Sequence, residues 1–231
     1  MGSRMRGGVL IAAQWTLASR VMPQEEAQPA GNATEEAAAA EAPAAPAAGD
    51  AKRGKAISYT CLGCHGIPNY KNAFPIYSVP KLEGQHAEYL VTALQGYRSG
   101  ERSHITMHAQ ASSLTDQDMA DIAAFFSGEV LKANTPAVGK APESAATCVA
   151  CHGQNGVGIV GIYPTLSGQH EDYLERALHD YKKGGRKNPI MAPMAAMLKD
   201  SDIEALARFY SQQRPALKTE ERPSTWLSKG H

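Results

Sequence analysis

Apolar positions in this chain recur at helical rather than strand spacing. Tyr89, Leu90, Ala93, Leu94 and Tyr97 form one stripe, and Met119, Ile122, Ala123 and Phe126 form another, each with the three- and four-residue steps of a helix face. Thr115-Asp116-Gln117-Asp118 stands just ahead of the second stripe and predicts a capping box, with Asp in place of the usual Glu or Gln. Gly- and Pro-rich segments such as Gly153 to Gly161 interrupt the helical pattern. No run alternates with period two, so no sheet is expected.

The pattern occurs twice. Shifting the chain by 84 residues lays 80–127 over 164–211 without a gap, with 20 of 48 positions identical. The matches include PxLxGQH (Pro80 to His86, Pro164 to His170), YLxxALxxY (Tyr89 to Tyr97, Tyr173 to Tyr181), Gly100/Gly184, Arg102/Arg186, Met107/Met191 and Leu114/Leu198. Upstream, with a three-residue difference in length, Cys61-Leu-Gly-Cys64-His65 matches Cys148-Val-Ala-Cys151-His152. Such self-similarity is the mark of a duplicated unit. It predicts an all-α protein of two tandem domains, residues 51–130 and 131–214, followed by a C-terminal tail, 215–231. In the second module Lys199 stands where Thr115 caps the first, and Ser201-xx-Glu204 offers a substitute two residues on. Gly139 and Pro142 predict that the helix before Cys148 is short.

The N-terminal 50 residues differ in kind. Residues 24–50 contain 12 Ala, 5 Glu and 3 Pro and no Leu, Ile, Val, Phe, Tyr or Trp, so 23–50 read as a disordered spacer with too little apolar surface to offset ordering. Arg4 and Arg6 precede a short apolar stretch, Gly7 to Ala18. Residues 1–22 therefore read as a secretory signal or an anchor, the apolar stretch being too short for a spanning helix. Across the chain 23 basic and 23 acidic side chains balance, which argues against nucleic acid as a partner. Residues 61–128 carry 4 basic and 6 acidic groups and 148–214 carry 8 and 7, an imbalance that would orient docking.

All four cysteines lie in the matched CxxCH motifs. A structural zinc site sharing both pairs would usually space them by about 15–20 residues, whereas 83 separate Cys64 from Cys148. A zinc site within one module would need further ligands, and His86/His170 is the only other matched histidine pair. A thioredoxin-type dithiol needs a βαβ setting, which the helical pattern denies. The remaining reading uses the adjacent histidine: C-x-x-C-H is the attachment signature of c-type haem. Cys61, Cys64, Cys148 and Cys151 would bind two haem c groups covalently, with His65 and His152 as proximal iron ligands.

The repeat then selects the sixth ligands. Met107 and Met191 are the only methionines matched between the modules, each seven residues before the Leu that precedes the final helix, and methionine raises the iron potential. Met194 is a neighbouring candidate for the second iron, His104 and His108 for the first, while Met119 reads as core. Pro80 and Pro164, 15 and 12 residues after the histidines, either orient the imidazoles through their carbonyls or simply restrict a loop. Arg102 and Arg186 are candidates for haem propionates or solvated helix-end residues, and Tyr97 and Tyr181 are expected in the core.

With these residues in hand, the chain over about 50–214 resembles the diheme class I c-type cytochromes of the cytochrome c4 family. The likeness rests on CLGCHG and CVACHG, PKLEGQ and PTLSGQ, and LTDQDMADIAAFFS and LKDSDIEALARFYS. The resemblance implies two cytochrome c domains, each wrapped around one covalent haem with His/Met ligation, their propionate edges facing one another. It also implies a one-electron carrier of a periplasmic respiratory chain, soluble or tethered to the inner membrane by its N-terminus, passing electrons from a membrane cytochrome complex toward a terminal oxidase. The alternative is a fixed haem-carrying subunit of a dehydrogenase or oxidase complex. A diheme peroxidase, the enzymatic option, needs an iron with an opening coordination position, and both irons have a ligand pair here.

Large apolar residues are scarce. Leu, Ile, Val and Phe number only 38, about 16% of the chain, below the roughly 20% that marks disorder when net charge is also high. The spacer contributes none of them, yet the modules stay lean, so two buried macrocycles are expected to complete the cores. Replacing both cysteines of either motif by Ala should abolish cooperative melting of that module by circular dichroism; a retained transition would show that the polypeptide suffices.

Overall fold

The computed structural model describes residues 48–222 apart from Val130, Asn134 and Ala216; the expected signal, all but the last three residues of the spacer, and Trp226 lie outside the described residues. Among the described residues there is no strand, only the isolated bridges Lys71–Ser78, Glu83–Lys218 and Arg102–Arg186. The first module contains α1 (Ala51–Ile57), α2 (Tyr59–His65), α3 (Ala87–Ser99), α4 (Ile105–Ser112) and α5 (Asp116–Ser127). The second contains a 3-10 turn (Glu143–Thr147), α6 (Val149–His152), α7 (Glu171–Lys183), α8 (Met191–Ala196) and α9 (Asp200–Ser211). The 3-10 turn and four-residue α6 are the short start that Gly139 and Pro142 predict. No helix of the described residues is long and apolar enough to cross a membrane.

Each module packs its long helix on the two that follow it: α3 on α4 and α5, α7 on α8 and α9. Both long helices end at a left-handed glycine, Gly100 (φ 80°) and Gly184 (φ 78°), the conformation that closes a helix at least cost without a Cβ. The predicted stripes face inward. Leu62, Leu90, Ile122, Ala123 and Phe126 form the first core, and Ala145, Leu174, Leu206, Ala207, Phe209 and Tyr210 the second. Met119 is fully buried.

The predicted capping box is present. Thr115 Oγ1 accepts from Asp118 N–H at 3.1 Å and Asp118 Oδ2 accepts from Thr115 N–H at 3.0 Å. Hydrogen bonds from Thr115 and Arg53 hold the Asp118 carboxyl at about 2. The expected Ser201/Glu204 substitute is not used. Helix α9 starts at Asp200, with Lys199 as its N-cap, and Asp202 Oδ2 accepts from Lys199 N–H at 3.0 Å. The reason is that Asp202 already occupies the third helical position, so half of the box survives although lysine has no acceptor.

Helix α1 lies across α5. Asp50, assigned to the spacer from sequence, is its N-cap, accepting from Lys52 and Arg53 N–H. Its own N–H donates to the buried Asp121 at 2.8 Å, which also pairs with Arg53. The helices meet at Gly54, where a Cβ would lie 1.9 Å from the Asp121 carbonyl oxygen.

The modules are joined along an approximate two-fold seam, because repeat-matched residues bond reciprocally. Gln85 Oε1 and Nε2 bond Thr165 N–H (2.8 Å) and C=O (3.0 Å). Gln169 does the same to Lys81, at 3.0 Å for each bond. Ser103 N–H donates to Gly185 O and Lys187 N–H to Glu101 O, both at 2.8 Å. After α9 the chain straps this seam: Leu217 is buried, its N–H bonding Ser167 O at 2.9 Å, while Lys218 pairs with Glu83 and Arg222 N–H reaches Gly66 O.

The α1–α5 crossing generates a prediction. Gly54→Ala should destabilise the holoprotein by about 1–3 kcal/mol through overpacking against backbone. Gly63→Ala should not, because nothing lies within 4 Å of its added Cβ and Ala150 holds the matched place. Thermal melts of the two variants check this, equal losses being the contrary result.

Candidate functional site

Helical spacing assembles the attachment motif. On α2, Cys61 and Cys64 are three residues apart and His65 is four from Cys61, so all three share one face. In the second module Cys148 is the N-cap of α6, which carries Cys151 and His152. None of the four cysteines is paired in a disulfide.

Each histidine is fixed by a loop that returns to it. His65 Nδ1 lies 2.9 Å from the Pro80 carbonyl oxygen and His152 Nδ1 lies 2.9 Å from that of Pro164. A carbonyl only accepts, so each Nδ1 carries the proton and Nε2 is left as the free lone pair. Burial lowers both histidines' pKa, the carbonyl bond partly opposing it, which keeps the neutral, metal-binding form.

These groups border one cavity of about 290 Å³ that runs through both modules. Cys61, Cys64, His65 and Met107 line it from one side, and Cys148, His152 and Met191 from the other. Cys151 and Met194 are not on its wall. The rest is largely apolar, including Leu90, Leu94, Ile122 and Phe126, then Leu174, Leu178 and Leu206. His104 and His108, weighed from sequence as rival ligands, have their Nδ1 atoms engaged, the first by Met107 N–H at 3.2 Å and the second with the Tyr97 carbonyl at 2.8 Å.

Two guanidiniums enter the same cavity. Arg102 and Arg186 are buried, at 9% and 8% exposure, so the solvated reading of these side chains is overturned. Each stacks on its own module's tyrosine, Arg102 4.4 Å from the Tyr97 ring centre and Arg186 4.6 Å from that of Tyr181. Each also donates to the other module's tyrosine hydroxyl, Arg102 to Tyr173 at 3.3 Å and Arg186 to Tyr89 at 2.5 Å. Among the described residues neither pairs with a carboxylate, and Arg102 Nε is buried without a hydrogen-bond partner. Buried charge of this kind calls for an anion. An apolar macrocycle with carboxylate edges, bonded through paired thiols, fits the donor set. Among the described residues there is no group of three or more His, Cys, Asp or Glu that could hold a metal alone, which leaves the zinc reading unsupported.

The seam residues were missed from sequence. The sequence pattern shows Tyr89 only as a member of an apolar stripe, and Tyr173, Gln85 and Gln169 only as repeat matches. Their signal was a polar side chain kept identical in both modules without a chemical role of its own.

The cytochrome c family model matches residues 51–128 and 137–213. Cytochrome c4 of Pseudomonas aeruginosa is 35% identical over 180 residues, 71% of this chain and 88% of that protein. The chain belongs to the cytochrome c4 family. The crystal structure of reduced recombinant cytochrome c4 from Pseudomonas stutzeri superposes with a TM-score of 0.57 at 32% identity, covering 72% of this chain and 100% of that one. A protein named thiosulfate dehydrogenase electron acceptor, from Stutzerimonas stutzeri, is 30% identical over 169 residues, 65% of this chain and 77% of that protein. As a cytochrome c4, the chain carries two covalent haem c groups, one at Cys61/Cys64 and one at Cys148/Cys151, and is a diheme electron carrier.

The seam should matter for cohesion of the two modules. Gln85→Leu strips two buried backbone groups of their partners, a loss of about 1–3 kcal/mol each before relaxation. Calorimetry of the holoprotein should then show one melting transition in the wild-type protein and two in the variant; an unsplit, unshifted transition in the variant would count against this role.

Proposed function

We propose that this cytochrome c4 is a one-electron carrier of a periplasmic respiratory chain, passing electrons from a membrane cytochrome complex toward a terminal oxidase. The observation that carries the reading is the pair of matched sets bordering one cavity, Cys61, Cys64, carbonyl-bonded His65 and Met107 on one side and Cys148, carbonyl-bonded His152 and Met191 on the other. His65 and Met107 hold the first iron, His152 and Met191 the second. Pro80 and Pro164 orient the imidazoles and keep Nε2 directed at the metal. Arg102 and Arg186 neutralise propionate charge at the seam, where the cations already lie against each other's tyrosines. The bound haems supply a one-electron change at iron. The protein's share is to hold two ligands on each metal, exclude water, and keep both centres in one apolar enclosure. No substrate chemistry is assigned, since both irons keep a full set of ligands.

A second reading is favoured by the relative named thiosulfate dehydrogenase electron acceptor, and by the 27% identical thiosulfate dehydrogenase structure from Marichromatium purpuratum, of which this chain covers 40% at a TM-score of 0.56. In it the chain is a fixed partner of a dehydrogenase, tethered through its N-terminus.

Mass spectrometry and the ferric visible spectrum test the assignment. Two covalent haems are expected, with a methionine–iron band that falls by about half in Met107→Ala and in Met191→Ala. A band at full strength in both variants overturns the ligands. Detergent-free periplasmic extraction of the same protein decides between the readings: a soluble carrier with a processed N-terminus supports the first, retention with membranes the second.

A further inference from the structure

Each methionine's N–H is held by a side-chain acceptor three residues before it, and the two modules use different chemistry at that same repeat position. In the second, Asn188 Oδ1 accepts from the N–H groups of Ile190 at 3.0 Å and Met191 at 2.8 Å. In the first the matched residue is His104, the N-cap of α4, whose Nδ1 accepts from Met107 N–H at 3.2 Å. Accepting at Nδ1 leaves the ring proton on Nε2. The ring is braced edge-on by Tyr77 and Tyr97, with 6.3 Å between centroids in both cases. One turn later His108 bonds the Tyr97 carbonyl at 2.8 Å, so α4 is tied to α3 at two successive turns. Ala192 stands at the place matching His108, so this histidine brace belongs to the first module alone.

We propose that His104 is the positioning residue that keeps Met107 on the first iron, as Asn188 does for Met191 on the second. This rests on the reading of both methionines as axial ligands. The bond from Met107 N–H closes the first turn of α4, and that turn bears the sulfur. Without the cap the N–H turns to water and the turn frays. A frayed turn spends more time with the sulfur displaced, and an outside ligand that binds only then gains apparent affinity in proportion.

The test is titration of the ferric holoprotein with imidazole, read through the methionine–iron band. The wild-type protein should show one phase for each module. His104→Ala should tighten one phase about five-fold, the usual effect of a lost cap, and leave the other unmoved. His104→Asn, which imports the second module's cap, should restore that phase, and Asn188→Ala should tighten the other. Unmoved phases in His104→Ala, both phases moving together, or no restoration by His104→Asn would each overturn the proposal. Met107→Ala separates the two readings. A band at full strength there places the fault in the ligand assignment. A halved band, with both phases of His104→Ala unmoved, removes the positioning role alone.

Discussion

Each module encloses a space that its own large side chains do not fill. The apolar residues that a helical stripe turns inward, such as Leu90, Ile122 and Phe126 or Leu174 and Leu206, are both core members and cavity wall. A core left open in this way forfeits dispersion contacts along its lining and remains marginal for a unit of about 80 residues. The covalent haem of a cytochrome c4 is the missing packing partner. The short helices, the attachment turns and the returning proline loops are arranged around it, and so the fold and the redox centre are one design problem. The two buried guanidiniums follow from the same circumstance, because only a bound group with carboxylates makes them inexpensive.

Duplication offered one solution to the joining of two such units. Residues identical in both copies meet one another across the seam: Gln85 and Gln169 reach into the opposite loop, Arg102 and Arg186 into the opposite tyrosine pair. A residue that fits one side of a two-fold axis fits the other, so a single motif serves twice. The strap through Leu217 and Lys218 then crosses the axis, bonding Ser167 of one module and Glu83 of the other. Departures from symmetry include His104 against Asn188, Phe126 against Tyr210 and Ser58 against Ala145. Tyr210 and Ser58 bring buried hydroxyls to places where the other module has Phe126 and Ala145. Two copies of one fold thus surround their centres with different polarity.

Much of this was legible in the chain. The helices of each module, the Thr115 cap, the weak start of the second module and the attachment cysteines all rest on residues within a turn or two of one another, and the repeat shows as two copies of that local pattern. Spacing of 3.6 residues per turn and the reach of two thiols are local properties, and a sequence records them directly. Ser201 was misjudged as a cap for the same reason that Thr115 was judged well. Both have the right residue type, and only the actual first turn shows that Asp202 has already taken the position.

What the sequence determined by itself is therefore the duplicated helical unit and its two covalent cofactor positions, since both follow from near-neighbour geometry. Only the tertiary structure decided that Arg102 and Arg186 are buried rather than solvated, that Tyr89 and Tyr173 accept from the opposite module's arginine across the seam, and that Leu217, Lys218 and Arg222 strap that seam. Those contacts join residues 50 to 156 positions apart. Their existence depends on the shapes of two assembled faces, which leave no periodic trace along the chain.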